Sequence, residues 1–377
     1  MSQIIDLINN MCTDEVKYYK LDELLDYMQP TKFIVHSTEY DDSYPTPVLT
    51  AGQSFILGYT DEEDGHFIAS KAEPVIIFDD FTTSSHWVDF EFKVKSSAMK
   101  MLRPKNNTFN FKYIYHAMNN LRFVPNGHQR HWISIYSQLE VPLPPRDIQD
   151  RIVSFLDMFN DLESLLSSEL DARIQQFNYY CSDLLSFDSS VGTKRLHELV
   201  SFRNGKGHEK SIVEDGRYVV VNSKFISSNG LVRKYANEQI CPLYVDDILM
   251  VMSDLPNGKA LAKCYLVDHN DTYTLNQRIG GFHVLDENVI STKFLFYVLN
   301  RNPQLLAYDN GTDQTNLRKG DILNIQIPVP TRDVQDRIVN TLNLFHKLCF
   351  DTDVGIPAEI ECRKLQYEYY LSKLLSF

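Results

Sequence analysis

No Cys-x-x-Cys pair occurs in this chain. Its six cysteines (Cys12, Cys181, Cys241, Cys264, Cys349 and Cys362) are scattered, which reads as reduced thiols in a cytosolic protein, not as a disulfide frame or a zinc cage. No run approaches the ~18 apolar residues of a membrane-spanning helix. The start, Met1-Ser2-Gln3-Ile4-Ile5-Asp6, lacks the basic opening and small-residue cleavage site of a signal peptide. A cytoplasmic location without a membrane partner is expected. The catalytic vocabulary is missing too. There is no Gly-x-x-x-x-Gly-Lys-Ser/Thr loop, no His-Glu-x-x-His helix, no Gly-x-Ser-x-Gly elbow and no Asn/Asp-Pro-Pro-Tyr/Phe string. His128-x-x-His131 has no cysteine or acid at a telling spacing, so no metal site is expected. Asp79-Asp80 and Asp246-Asp247 sit at strand ends and read as solvated turn carboxylates or helix caps. No catalytic residue is assigned.

Positive charge is also short. Lys and Arg number 37 against 50 Asp and Glu, a net charge of −13. That argues mildly against nucleic acid, yet phosphate contact needs only one basic face. Residues 188–328 hold 16 Lys+Arg and 16 Asp+Glu, so the acid is concentrated elsewhere.

What the chain does have is a repeat. Val141-Pro142-Leu143-Pro144-Pro145-Arg146-Asp147-Ile148-Gln149-Asp150-Arg151-Ile152-Val153 returns as Ile327-Pro328-Val329-Pro330-Thr331-Arg332-Asp333-Val334-Gln335-Asp336-Arg337-Ile338-Val339, with nine of thirteen positions identical. Each copy opens a helical segment ending in Leu-Leu-Ser-Phe, at 184–187 and 374–377. A second anchor, Leu21-Asp22-Glu23-Leu24, returns as Leu196-His197-Glu198-Leu199. The spacing is too long for a solenoid. It predicts an α+β protein with two mixed α/β globular parts, each followed by a helical arm. The divisions are 1–140, 141–187, 188–326 and 327–377, and the order is cyclic.

Local patterns fill this in. Residues 4–11 have helical spacing. Pro45–Gly52 reads as a turn feeding a strand. Pro74–Phe78 is a buried strand and Val88–Lys95 an alternating strand with its charges outward. Phe111–Arg122 is a helix. In the second part, 217–221, 247–251 and 280–284 read as strands, and 293–300 as a helix stopped by Asn302-Pro303. In the first arm, Ile148, Ile152, Phe155, Phe159, Leu162 and Leu166 step like a heptad. In the second, Asp351-Thr352-Asp353-Val354-Gly355-Ile356-Pro357 should break the helix. The offset between copies grows from 186 (147 to 333) to 190 (187 to 377). Four residues are inserted there. Each arm reads as a shorter helix, a bend and a helix of ~20 residues, and the two arms are expected to bend differently.

Candidate binding residues lie in polar loops. Gln, Asn and Arg can pair with base edges, and Lys, Ser and Thr with phosphates. In the first part these are Thr50 and Gln53, Thr83 and Ser85, Lys95 and Ser97, and Gln129 and Arg130. In the second they are Lys206, Asn222, Lys224, Asn276, Gln277, Arg278, Thr312, Gln314 and Asn316. Their occurrence in both parts points to double-stranded DNA.

The doubled Val/Ile-Pro-x-Pro-x-x-Asp-x-Gln-x-Arg-Ile-Val segment resembles the specificity (S) subunit of type I restriction-modification systems. So do the tail Ile356-Pro357-Ala358-Glu359-Ile360-Glu361, Leu275-Asn276-Gln277-Arg278-Ile279-Gly280-Gly281-Phe282 and Phe92-Lys93-Val94-Lys95-Ser96-Ser97. The resemblance covers nearly the whole chain. It implies two target recognition domains, each reading half of a split DNA site. The arms would pair as an antiparallel coiled coil about a pseudo-two-fold and set the gap. Two methyltransferase (M) subunits would dock on the arms, and motor-nuclease (R) subunits would join the M–S complex. Arg151, Phe155, Phe159, Arg337, Phe345, Tyr369 and Tyr370 are the arm residues assigned to partner contact. S-adenosylmethionine, magnesium and ATP would belong to partner subunits, leaving this chain cofactor-free and non-catalytic. The first arm departs from the pattern, with Leu170-Asp171-Ala172-Arg173-Ile174 in place of Pro-Ala-Glu-Ile. A two-domain scaffold joining protein partners through the arms, without DNA, is the alternative, and salt-dependent duplex binding separates the two.

Overall fold

In a computed structural model, residues 16–50, 55–125, 129–208, 210–255 and 260–377 are described. The expected helix at 4–11, Gln53 and His128 lie outside them. The chain divides into two compact units, one of residues 1–167 with 359–377 and one of 168–358. Each therefore holds a globular part, the start of the arm that follows it and the tail of the other arm.

The repeated strings act as fasteners. In the first unit, strand Lys17–Lys20 pairs antiparallel with Glu140–Leu143, so the entry and exit of the globular part lie side by side. Thr193–Arg195 and Gln326–Pro328 do the same in the second. Pro142 and Pro328 are tolerated because these are two-stranded ribbons, with an open edge for a residue lacking N–H. The Leu-x-Glu-Leu strings are single helical turns. Glu23 accepts from Lys20 N at 3.0 Å and Glu198 from Arg195 N at 2.8 Å, while the flanking leucines enter the core.

Both units build a four-stranded antiparallel sheet with the same connectivity. In the first the order is Leu25–Met28, Met99–Pro104, Val75–Asp79, Ser85–Val88. In the second it is Val200–Asn204, Ile279–Val284, Ile248–Val251, Cys264–Leu266. Helix Phe111–Asn120, capped by Asn110, or Thr292–Leu299, capped by Ser291, packs on the arm side. Ile148, Ile152 and Leu156 of the first arm complete one core, and Ile338, Val339 and Leu342 of the second complete the other.

The identical Arg-Asp-x-Gln-Asp words explain this docking. Gln149 is buried, accepting from Asn110 N at 2.8 Å and donating to Pro144 O at 2.7 Å. Gln335 is buried in the same way, accepting from Ser291 N at 2.8 Å and donating to Val289 O and Pro330 O. Arg146 pairs with Asp150 and Arg332 with Asp336, each at 2.9 Å, and each guanidinium also reaches a loop carbonyl, of Asn107 or Glu287. The repeat therefore encodes the joint between globular part and arm.

The arms differ at the insertion, and the bend expected in each is found in the second alone. The first is one helix, Arg146–Leu184, and the second is two, Arg332–Phe350 and Ile356–Leu374. Asp351 caps the break, accepting from Asp353 N at 2.8 Å and Val354 N at 3.0 Å. A Cβ on Gly355 would meet the carbonyls of Asp351, Lys347 and Leu348 at 2.5, 2.6 and 2.9 Å. Gly355→Ala is expected to cost about 1–3 kcal/mol, seen as a lower Tm on thermal unfolding of the full chain. An unchanged Tm would contradict the tight break. The heptad reading of the first arm needs one correction. Two stripes are present: Ile148, Ile152 and Leu156 are buried against the globular part, while Leu162 is 41% exposed.

The strand expected over 88–95 is also corrected. Val88 ends the strand Ser85–Val88 and Lys93–Val94 forms a separate one, and Lys93 is buried instead of outward. It pairs with Glu62 at 2.6 Å and donates to Asp64 O at 2.6 Å. Burial works to raise the Glu62 pKa, but Lys93 and the amides of Ser37 and His36 outweigh it and hold the carboxyl at about 2.

Candidate nucleic-acid interface

Each unit carries, beside its four-stranded sheet, one pair of parallel strands. In the second these are Tyr218–Val221 and Tyr273–Leu275, with Asn276 N donating to Val221 O at 3.1 Å. In the first they are Thr46–Leu49 and Lys93–Val94, with Lys95 N donating to Leu49 O at 2.9 Å. Asn222 and Asn276, and likewise Thr50 and Lys95, stand one residue past matching strand ends. The carboxyl ends of parallel strands are where open sheets commonly leave a ligand crevice.

In the second unit that place is a cleft of about 610 Å³. The candidates Asn222, Lys224, Asn276 and Arg278 line it, with Ser223 and His208 from the same polar loops and with Lys234, which the loop patterns do not single out. Among the described residues, no carboxylate lines it. The wall stands because Gly205 lies against the strand end: Lys206 N donates to Leu275 O at 3.0 Å and Gly205 N to Ile279 O at 3.2 Å. His208 is buried beneath, with Nδ1 2.7 Å from Lys206 O and Nε2 3.0 Å from Thr274 Oγ1. The Asn222 carbonyl caps the helix Ser223–Ser227 by accepting from Phe225 N at 2.9 Å, so only its amide is left to point elsewhere. Lys206, Lys224, Gln277 and Arg278 are exposed. Thr312, Gln314 and Asn316 are exposed too but do not line this cleft. They belong to a turn and a short ribbon, where Gln314 donates to Ser253 Oγ at 2.8 Å and Asn316 pairs across from Ser253.

The first unit spreads its candidates more widely. Thr50 is half-buried, its N–H bonded to Phe55 O at 2.8 Å. Thr83 holds a positive φ of 61° in the tight turn from Asp79 to Ser85. Ser85 donates to Asn119 Oδ1 at 2.6 Å, and Lys95 Nζ lies 3.2 Å from Tyr40 Oη. Ser97 is half-buried, and Gln129 and Arg130 are exposed. The loop carrying Arg130 is anchored from below, where His131 N bonds Asp80 O at 2.9 Å and Trp132 N bonds Asp80 Oδ1 at 2.8 Å. Asp80, expected as a solvated turn carboxylate, is instead 1% exposed and pairs with the equally buried Lys100 at 3.1 Å. Asp247 is likewise buried, accepting from Tyr244 N at 2.9 Å. Both acids organise loops from inside, and an acidic pair at a strand end in sequence carries no sign of that.

In the arms, Arg151 and Arg337 are exposed and Tyr369 is 53% exposed. Phe155, Phe159 and Tyr370, assigned to partner contact, pack on one another; Phe155 and Phe159 are half-buried and Tyr370 is 9% exposed. The Phe159 and Tyr370 rings lie 5.6 Å apart at 28°. In the second unit Phe345 packs on Tyr180 at 5.1 Å and 32°. The repeat aligns Phe159 with Phe345 and Tyr180 with Tyr370, so the same ring pair is made twice with the arms exchanged. Next to the first pair, His116 lies between Tyr367 Oη at 2.9 Å and Asp157 Oδ1 at 3.2 Å. Burial works to raise the Asp157 pKa, but His116 and Lys112 hold it below the usual carboxylate range.

Residues 13–176 and 189–362 each match the family model of the type I restriction modification DNA specificity domain. The chain belongs to that family. The specificity subunit of EcoR124I/EcoR124II from Escherichia coli is 37% identical over 96% of this chain and 95% of its own length. A putative type I restriction enzyme specificity subunit of Haemophilus influenzae is 24% identical over 96% of each. Among solved structures, the type I S subunit of M. genitalium superposes with a TM-score of 0.54 at 16% identity, covering 97% of both chains. A chain from a structural study of type I complex assembly and conformational transition gives 0.56 at 12% identity, covering 95% of this chain and 99% of that one. The family match falls on both units.

Proposed function

We propose that this chain is the non-catalytic, cytoplasmic DNA-specificity subunit of a type I restriction-modification complex. Each unit reads one half of a bipartite duplex site. The arms pair antiparallel about a pseudo-two-fold, set the gap and dock two M subunits, through which R subunits join. The observation that carries this is the cleft of Lys, Arg and Asn side chains at the parallel strand ends of the second unit, with the same strand pair in the first. A cleft lined by Lys224, Lys234, Arg278 and two asparagine amides suits a phosphate backbone and base edges. The overall −13 is no obstacle, because neutralisation is local. A protein-only scaffold has no need of a cleft with three cationic side chains at that position. The exchanged Phe159–Tyr370 and Phe345–Tyr180 pairs support the two-fold.

Docking has its own support. Met158, 54% exposed, aligns with Leu344, 72% exposed, and Leu162 with Leu348 at 41% and 39%. The same apolar frame, with Arg151 and Arg337 at its head, is left uncovered twice, as two copies of one partner would require.

Reconstituted with M subunits, the chain should bind duplex DNA with an affinity falling steeply as salt rises. Lys224→Ala and Lys234→Ala should each lower the log–log salt slope by about one if that lysine meets a phosphate. Binding that is absent or insensitive to salt would sink the reading.

A further inference from the structure

The two docking faces are framed alike but charged oppositely at their centre. The repeat aligns Arg151 with Arg337, Met158 with Leu344, Leu162 with Leu348, and between them Asp161 with Lys347. All are exposed. Steps of three and four put each set on one side of its helix. Among the described residues, neither Asp161 nor Lys347 forms an ion pair within 4.0 Å; the nearby Glu163 is paired with Lys364 at 3.4 Å, and the Lys347 side chain acts on Asp351 only through space. The arms differ in the same sense overall. Over 146–187 there are three Lys+Arg and eight Asp+Glu, and over 332–377 six and seven.

Two identical partners present the same group at this point of both faces. A group that attracts Asp161 repels Lys347, and the reverse. We propose that the chain holds its two M subunits unequally, with Asp161 and Lys347 setting the difference. This rests on the docking reading above. An exposed pair is weak, but the inversion counts it twice, so the two sites should differ about 3- to 30-fold in affinity.

The test titrates the full chain with its M subunit and counts bound copies by native mass spectrometry across salt concentrations. The expected result is a well-populated one-copy complex at low salt, with a gap between stepwise constants that narrows as salt rises. Asp161→Lys or Lys347→Asp alone should collapse the gap to the statistical value for equal sites. The double swap should restore it, with site-directed cross-linking showing the preferred arm reversed. A gap unchanged in both single swaps, while two copies still bind, overturns the inequality and leaves docking intact. Failure to bind two copies at any concentration, or undiminished binding by a Met158→Glu/Leu344→Glu chain, overturns the docking reading and the inequality with it.

Discussion

Gly205→Ala is expected to abolish recognition by the second unit while leaving the first unit's half-site readable. An added methyl would overlap the Asn276 carbonyl outright and sit 2.9 Å from Leu275 O. Neither atom can retreat, because Leu275 is fully buried in a parallel strand and the Asn276 N–H is tied to Val221 O at 3.1 Å. The loop must therefore lift, taking Lys206 and the His208 strut with it. Overpacking against backbone costs about 1–3 kcal/mol or more, and here the loss falls on the wall of the cleft. The check is to compare binding of the M–S complex to duplexes mutated in either half. Wild-type affinity for both halves would show that the 204–208 wall does not shape the site.

The second large effect is structural. Gln335→Leu should lower the unfolding free energy by about 3–9 kcal/mol, since it strands the Ser291 N–H and the carbonyls of Val289 and Pro330 at a fully buried position, each at about 1–3 kcal/mol. Gln149→Leu strands only the Asn110 N–H and Pro144 O and should cost less. Against a total stability of about 5–15 kcal/mol, the first variant should unfold well below the wild type in urea. Equal, small losses in both variants would refute the joint role of these glutamines.

The joints were legible from sequence because they are repeated: identical words in two places must do the same work. Gly355 and Pro357 marked the broken arm for a plain reason, since neither suits a helix interior. The parallel strand ends were legible only as loops. Asn276 and Lys95 could be nominated by residue type, but the partners that make them equivalent, Val221 and Leu49, are far away in sequence. Buried ions escaped notice altogether. Lys93 and Asp80 sit in patterns that read as surface, and only their tertiary partners Glu62 and Lys100 make burial tolerable. Tyr370 was misplaced for a related reason. Its sequence spacing shows that it lies on a helix face, but which neighbour covers that face depends on the Phe159 ring it stacks against.

The central claim is that two unlike units of one chain read two halves of one site. The most direct measurement is sequencing-based mapping of every position methylated by the M–S complex, with the wild-type chain and with Arg278→Ala. The wild type should yield a two-part motif with a fixed, unread gap, and Arg278→Ala should relax one half alone. A continuous motif, or a variant that relaxes both halves together, would contradict the account.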